Sequence, residues 1–316
     1  MKKLLVIRND KLGDLILTLP ALKMIKSSVK DIKIDCLLDE KYSDIQCMTE
    51  YMDSAICNHE NLIDEINTQN YDFSISFFST FNIGYKLWKS NIKKRYAPAT
   101  KLAQIFYNKK IMQKRSSSEK SEYEYNIDLA KYFLSDNSFD IASTDNQCMM
   151  VKNEKTVSAD KKNLVFVHPF TGGSSKTLSC DDFVELCKEL DRLNDCSFIL
   201  HCDVNDHDKC LELEKKASNL DITTIAPTNN LVKMFENINQ CDLFIAGSTG
   251  PLHVAAALNK KTVGFYPSKI SSSLLRWDTI NTERNKLSFC DIGCDDKYIR
   301  VDLNEVAKLI NLNLLD

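Results

Sequence analysis

The sequence predicts an α/β protein built on parallel sheets in two domains, and three observations carry that prediction. Short β-like runs alternate with helix-length segments along the whole chain, the pattern of βαβ units. The length of 316 residues exceeds what one hydrophobic core commonly organises, so two domains of about 150 residues each are expected. A polar stretch without a convincing period, VKNEKTVSADKK at residues 151–162, lies near the middle and reads as the interdomain linker.

In the first domain, residues 1–152, the strand candidates are Lys3–Ile7, Lys33–Leu38 and Asp72–Phe78. The helix candidates include Leu15–Lys26 and Tyr123–Leu134, where Ile127, Ala130 and Leu134 recur at helical spacing. In the second domain, residues 163–301, strands are expected at Leu164–Val167, Phe198–His201, Ile222–Ile225, Leu243–Ala246 and Thr262–Phe265. Helices should fill the gaps at Asp181–Leu193, Asp208–Ala217, Leu231–Ile238 and Leu252–Leu258. Residues 302–316 form a closing helix, capped by Asp302, with Val306, Leu309 and Ile310 on its apolar face and a return toward the first domain as one option. Internal repeats and low-complexity tracts are absent from the sequence.

Composition narrows the function classes. With 43% hydrophobic and 27% charged residues the chain is an ordinary globular protein. Its start, MKKLLVIRNDKLGDLILTLP, resembles a signal peptide for seven residues until Arg8, Asp10, Lys11 and Asp14 interrupt the apolar run, and no run approaches membrane-spanning length. The twelve cysteines are scattered, several inside apolar strands such as Cys36, Cys202 and Cys241, which suits buried hydrophobes in a reducing cytosol. Cys290 and Cys294 have three residues between them and no second Cys or His pair at ligand spacing, so zinc is not expected.

A net charge of −3 argues against a general nucleic-acid binder, but the charge is uneven. Between Lys86 and Arg115 there are ten basic residues, Lys93, Lys94 and Arg95 among them, and no Asp or Glu. Trp88, Tyr96, Phe106 and Tyr107 lie among these charges. The tract is either a solvated basic face or a surface for an anionic ligand or an anionic membrane.

In an α/β sheet, ligands bind beyond the carboxyl ends of the strands, so chemistry is sought on loops that follow strands. The first loop runs from Arg8, where Gly13 permits a close turn and Asp14 opens a helix. Asp14 is either a helix-start carboxylate or a general base, ionised at neutral pH with a reference pKa of about 3.9. The second holds Thr171, Gly172, Gly173, Ser174, Ser175 and Lys176, whose hydroxyls, amides and ammonium suit phosphate oxygens. Neither a Walker A loop nor a G-x-G-x-x-G fingerprint is present. The third is Gly247-Ser248-Thr249-Gly250-Pro251 with His253 two residues on. It is either strand-to-helix punctuation or an anion cradle at a helix N-terminus. Asp206-His207-Asp208 has a D-x-D form but opens a charged helix, and a solvated helix start is expected there, or at most a ribose contact from Asp203–Asp206.

These three loops together resemble glycosyltransferase family 9, the ADP-heptose:lipopolysaccharide heptosyltransferases. VIRNDKLGDLILTLPALKMIK is similar to the family's strand–loop–helix with its L-G-D, and HPFTGGSSKTLSCDDF to its nucleotide-sugar loop. GSTGPLHVAAALNKKTVGFYP is similar to the D-T-G-P-x-H-x-A-A-A-L signature, with Ser248 where the family has Asp. Residues 40–150 carry little that is recognisable. The resemblance implies a GT-B fold, two Rossmann-like domains facing a central cleft, with acceptor on the N-terminal domain and nucleotide sugar on the C-terminal one. It implies inverting, metal-independent transfer of heptose from ADP-heptose to the Kdo/heptose inner core of lipopolysaccharide, with no cofactor. Asp14 becomes the base, Thr171, Gly172, Ser174, Ser175 and Lys176 the diphosphate loop, and Ser248, Thr249, Gly250, Pro251 and His253 the rest of the donor site. Arg8, Lys11, Lys93, Lys94 and Arg95 become acceptor-side candidates. A cytoplasmic protein is implied, with peripheral contact to the inner membrane as an option. Two rivals share the donor site: a GT-B nucleotide-sugar epimerase and a non-catalytic sugar-nucleotide-binding protein.

Overall fold

The computed structural model describes residues 1–100, 102–145, 162–173, 175–293 and 297–315, in two compact units, Met1–Met149 and Met150–Asp316. Apart from Lys162, the linker expected at 151–162 lies outside the described residues.

In the first unit the chain runs β1 (Lys2–Ile7), α1 (Leu12–Ile16), α2 (Leu19–Ser28), β2 (Ile32–Leu38), β3 (Ser54–Cys57), α3 (Leu62–Gln69), β4 (Phe73–Ser76), α4 (Phe81–Lys89), β5 (Lys94–Pro98), β6 (Lys109–Ile111) and α5 (Glu122–Asp136). Its strands form one parallel sheet in the order β3-β2-β1-β4-β5-β6. The second unit runs β7 (Asn163–His168), α6 (Cys180–Leu193), β8 (Cys196–Leu200), α7 (His207–Lys216), β9 (Ile222–Thr224), α8 (Leu231–Gln240), β10 (Leu243–Gly247), α9 (Gly250–Ala257), β11 (Lys261–Tyr266), α10 (Leu274–Trp277), β12 (Lys286–Cys290) and α11 (Leu303–Ile310). Its parallel sheet is ordered β12-β11-β10-β7-β8-β9.

Central strands of such sheets are covered on both faces and so read as continuous apolar runs. Leu243–Gly247 of β10 is buried at every position, and Leu4–Ile7 of β1 likewise. Short flanking strands lack this signal: β5 and β6 begin Lys-Arg and Lys-Lys, and the sequence reads them only as part of the basic tract. The helix expected over Leu15–Lys26 is two helices. Pro20 sits in the first turn of α2, where its missing N–H costs nothing, but it cannot donate to the carbonyl one turn earlier, so the chain breaks at Leu17-Thr18. Asn126 of α5 closes that break by donating from Nδ2 to Leu17 O and Thr18 Oγ1. At the other end of the chain, α11 buries Val306, Ala307 and Ile310 in the core of the second unit. Cys36, Cys187, Cys196, Cys202, Cys210 and Cys241 are buried and unbridged, as small hydrophobes.

A feature that the sequence did not announce lies where β7 and β8 end. His168 and His201 are buried with their Nδ1 atoms 3.1 Å apart, and His168 Nδ1 is 2.8 Å from the His201 carbonyl oxygen. Burial lowers the basicity of both, and His201, next to a second imidazole, falls to about 3. An unfolded imidazole titrates near 6.5, so below that pH the unfolded chain takes up protons that the folded one refuses. Stability is therefore complete above about 6.5 and is lost as pH falls toward 3. The thermal midpoint should drop over that window, and His201→Asn, which removes one titrating ring, should flatten the drop. Parallel pH profiles for parent and variant would clear the pair of this role.

Candidate functional site

Each sheet reverses its winding once. In the first unit the reversal falls between β1 and β4, and in the second between β7 and β10. At such a point the connections leave in opposite directions and open a crevice at the carboxyl ends of the strands. All three sequence-selected loops follow a strand at one of these reversals: Arg8–Asp14 after β1, Pro169–Ser179 after β7 and Gly247–Pro251 after β10.

In the first unit, Arg8 directly follows β1 with only 2% exposure, and burial of a guanidinium demands carboxylates. Its Nη2 donates to Asp14 Oδ1 at 2.7 Å and to Glu122 Oε1 at 3.2 Å, its Nη1 to Phe77 O and its Nε to Asp14 O, both at 3.1 Å. Asp10 Oδ1 lies 3.4 Å from Nε. Burial works against this charge, but Asp14, Asp10 and Glu122 more than offset it and hold the guanidinium protonated, above its ordinary value. Burial also pushes Asp10 up to about 6, with Arg8 opposing and Asp14 adding to the rise. A second guanidinium completes the cluster, since Arg115 donates from Nη1 to Glu122 Oε1 at 2.6 Å. Asp14 itself lies in the first turn of α1, 15% exposed, with one oxygen clamped by Arg8.

The donors of Arg8, expected on the acceptor side, go to the carboxylate and carbonyl oxygens of Asp14, to Glu122 and to Phe77 O. Lys11 is exposed just ahead of α1, in the same loop as Asp14. Lys93, Lys94 and Arg95 are elsewhere. Lys94 is level with Phe73, and Phe73 with Leu4, so they sit at the amino ends of the strands, about 13 Å short of Arg8 at 3.3 Å per residue. Lys94 is engaged by Asn137 and Asp136, and Arg95 donates to Phe106 O and Ile92 O. The structure does not bring these three to Asp14. Glu122 and Arg115 were missed as members of the site: one reads as a helix-start acid and the other as one more charge in a basic tract.

In the second unit, Ala246 of β10 pairs with His168 of β7, which puts the loops that follow them side by side. Their contact explains Gly247: a Cβ there would come 2.6 Å from Thr177 Oγ1 and 3.4 Å from Thr171 Cγ2. Gly173 takes φ +77°, the left-handed region that glycine enters without strain, and nothing would meet a Cβ at Gly172 or Gly173, so this stretch offers bare backbone. Thr171 Oγ1 donates to Ser175 O at 2.8 Å and Ser175 Oγ to Lys176 O at 3.3 Å, which ties the loop together. Ser174 lies outside the described residues.

The turn after β10 makes Thr249 the N-cap of α9, with Gly250 and Pro251 in the first turn, yet the Thr249 side chain caps nothing. Three buried polar atoms here, Thr177 Oγ1, Thr249 Oγ1 and His253 Nδ1, have no hydrogen-bond partner among the described residues. A buried polar atom left unmet costs about 1–3 kcal/mol. The N-terminus of α9 thus combines unused amides with unused hydroxyls, the arrangement that receives an anion. His253 is 2% exposed, and burial lowers it to about 4, so it serves as a neutral group rather than a cation. By contrast α6 is closed at its start, where Ser179 and Asp182 form a reciprocal capping box. Ser248 is half-buried in the turn. Asp206, at the start of α7, pairs with Lys209 at 2.7 Å, in keeping with a solvated helix start. Among the described residues no group of three or more His, Cys, Asp or Glu is placed to hold a metal ion.

Comparison with known proteins agrees with the arrangement of strands and loops. Residues 61–307 match Glycosyltransferase family 9 (heptosyltransferase). A Haemophilus influenzae protein assigned as a glycosyltransferase is 36% identical, with 96% of this chain and 93% of that protein covered. The lipopolysaccharide heptosyltransferase 1 of Campylobacter coli is 24% identical over 84% of this chain and 83% of its own length. Among solved structures, the Escherichia coli ADP-heptose lipopolysaccharide heptosyltransferase II superposes with a TM-score of 0.80 at 16% identity, covering 100% of this chain and 99% of that one, so the fold is of the GT-B type. The chain belongs to glycosyltransferase family 9, the heptosyltransferase family, and is a glycosyltransferase.

Proposed function

We propose that this protein transfers heptose from ADP-heptose to the Kdo/heptose inner core of lipopolysaccharide, with inversion and without a metal ion. The observation that carries the reading is that the first unit holds a clamped carboxylate at its sheet reversal and the second an anion-receiving turn at its own. The similar proteins named above, a lipopolysaccharide heptosyltransferase and an ADP-heptose enzyme, support the choice of donor and acceptor class.

In this reading the first unit, residues 1–152, holds the acceptor and the second, residues 163–301, the nucleotide sugar. Asp14 accepts the proton of the acceptor hydroxyl as that oxygen forms its bond to the anomeric carbon. The anomeric carbon–oxygen bond to the diphosphate breaks on the opposite face, its electron pair leaves with ADP, and configuration inverts. Arg8 fixes the Asp14 carboxylate before the substrate arrives. Charge gathers on the departing diphosphate, where Lys176, the Thr171–Ser175 backbone and the Thr249–Gly250 amides stabilise it. Ser248 keeps a hydrogen-bonding group but not a carboxylate beside the donor, which makes sugar identity the point to test. Lys11 is the acceptor-side cation that lies in the Asp14 loop.

Asp14→Ala should lower turnover about 100-fold or more, the size of a lost general base, with ADP affinity little changed. Near-normal turnover would remove Asp14 from the mechanism. Lys176→Ala should weaken ADP binding by about 1.5–3 kcal/mol, the range of a charge-assisted hydrogen bond, and calorimetry that finds parental affinity would free Lys176 of that role. Turnover of ADP-heptose with truncated lipopolysaccharide acceptors should survive EDTA and require the acceptor. Conversion of donor alone would favour an epimerase, and binding without any turnover a silent sugar-nucleotide binder.

A further inference from the structure

The segment that follows β11 borders the anion-receiving turn on the side away from the glycine-rich loop. Strands β10 and β11 pair in parallel with Gly247 level with Phe265, so the segments that leave them start side by side. One becomes the first turn of α9, and the other leads through residues 267–273 to α10. There Trp277 places its ring 6.5 Å, centroid to centroid, from the ring of His253 in α9. A helical side chain leans toward the N-terminus of its own helix, so this contact is made at the start of α9. The indole is held in place: its Nε1 donates to Ser271 O at 2.9 Å, and the Arg276 guanidinium carbon lies 5.7 Å from the ring centroid. With its one polar group used, what the half-buried Trp277 has left to offer is apolar ring surface.

The strand order β11-β10-β7-β8 lines up four segments along the carboxyl edge: the one bearing Trp277, the start of α9, residues 171–176, and residues 203–206. With a diphosphate held by the middle two, the two ends of a nucleotide sugar leave it in opposite directions, one toward Asp203 and one toward Trp277. Chemistry sorts them. Ribose offers a vicinal diol, which donates to a carboxylate, and Asp203 is an exposed carboxylate ahead of α7. Adenine, linked to that ribose, then extends away from Trp277. A pyranose offers a face of C–H groups, which covers an indole and removes water from both, while its hydroxyls point outward round the rim.

We propose that Trp277 is the stacking face for the pyranose of the donor, and so the residue that selects the nucleotide sugar over the free nucleotide. The assignment rests on the transfer reading above for the place of the diphosphate and adds to it the place of the sugar. A contact made to the sugar alone is lost on transfer, so ADP is held more weakly than the donor and its release is eased.

The chain has two tryptophans, so Trp88→Phe, at an exposed position of α4, leaves Trp277 as the sole indole reporter. In that full-length variant, titration with ADP-heptose in the absence of acceptor should change the indole fluorescence. Titration with ADP, to the same occupancy by calorimetry, should leave it close to that of the free protein. Trp277→Ala should weaken ADP-heptose binding about tenfold, the size of a lost aromatic contact, and keep ADP affinity within about twofold of the parent. Trp277→Phe, which keeps a smaller ring, should recover most of the loss. An equal fluorescence response to ADP, or ADP-heptose binding with a silent indole, overturns the proposal. So does a Trp277→Ala variant that loses ADP and ADP-heptose affinity alike, since the ring would then support the turn rather than meet the sugar. If the parent turns over ADP-heptose and Trp277→Ala binds that donor as the parent does, only this assignment falls. A parent that binds neither ligand removes the transfer reading together with it.

Discussion

The first unit is organised around a buried positive charge. Arg8 cannot be taken out of water at the end of β1 unless carboxylates meet it, and the three that do come from different parts of the chain: Asp10 and Asp14 from the following loop, Glu122 from the start of α5. Satisfying the guanidinium thereby fixes where α1 starts, which way Asp14 points and how α5 crosses the unit. Asn126, one turn along α5 from Glu122, meets the broken helix at Leu17 and Thr18 and locks the same corner from the other side. Removing one partner from such a cluster leaves an uncompensated buried charge, a loss of about 3–5 kcal/mol, so stability and the placement of Asp14 rest on the same contacts.

In the second unit a steric constraint does comparable work. Gly247 lets Thr177 approach the end of β10, and this contact sets two loops from distant parts of the sequence side by side at one reversal of the sheet. The result is a helix start whose hydroxyls and imidazole find nothing among the described residues to bond, next to a stretch of exposed glycine backbone. Stability and ligand binding pull apart here. A turn with all its polar atoms satisfied, as at the capped start of α6, would be the more stable one, but it would have no amides left for an anion.

Parallel sheets have two unlike edges, and much follows from that asymmetry. The amino-end edge of the first sheet takes Lys94 into pairs with Asp136 and Asn137, and the tract contributes there to structure. α4 and the turn after β5 keep aromatic and aliphatic side chains, Phe81, Tyr85, Trp88, Leu102 and Ile105, in contact with solvent.

What the sequence by itself determined is the alternation of strands and helices, the two-part division, and the three glycine- and hydroxyl-bearing loops with Asp14, Lys176 and Thr249 in them. These signals are local: apolar runs of strand length, helical spacing, and turn residues at fixed offsets need no knowledge of what packs on what. Tertiary structure alone decided which charges meet. Arg8 and Arg115, Asp14 and Glu122 are separated by up to 114 residues and nothing in their spacing pairs them; the pleat of β1 and the packing of α5 do. It also decided that Lys93, Lys94 and Arg95 lie away from Asp14, since strand direction, not sequence distance, sets the edge on which a residue appears. The short strands β3, β5, β6 and β12 belong to the same class: with three to five residues each they carry too little period to read, and only hydrogen bonding to an existing neighbour strand makes them strands at all.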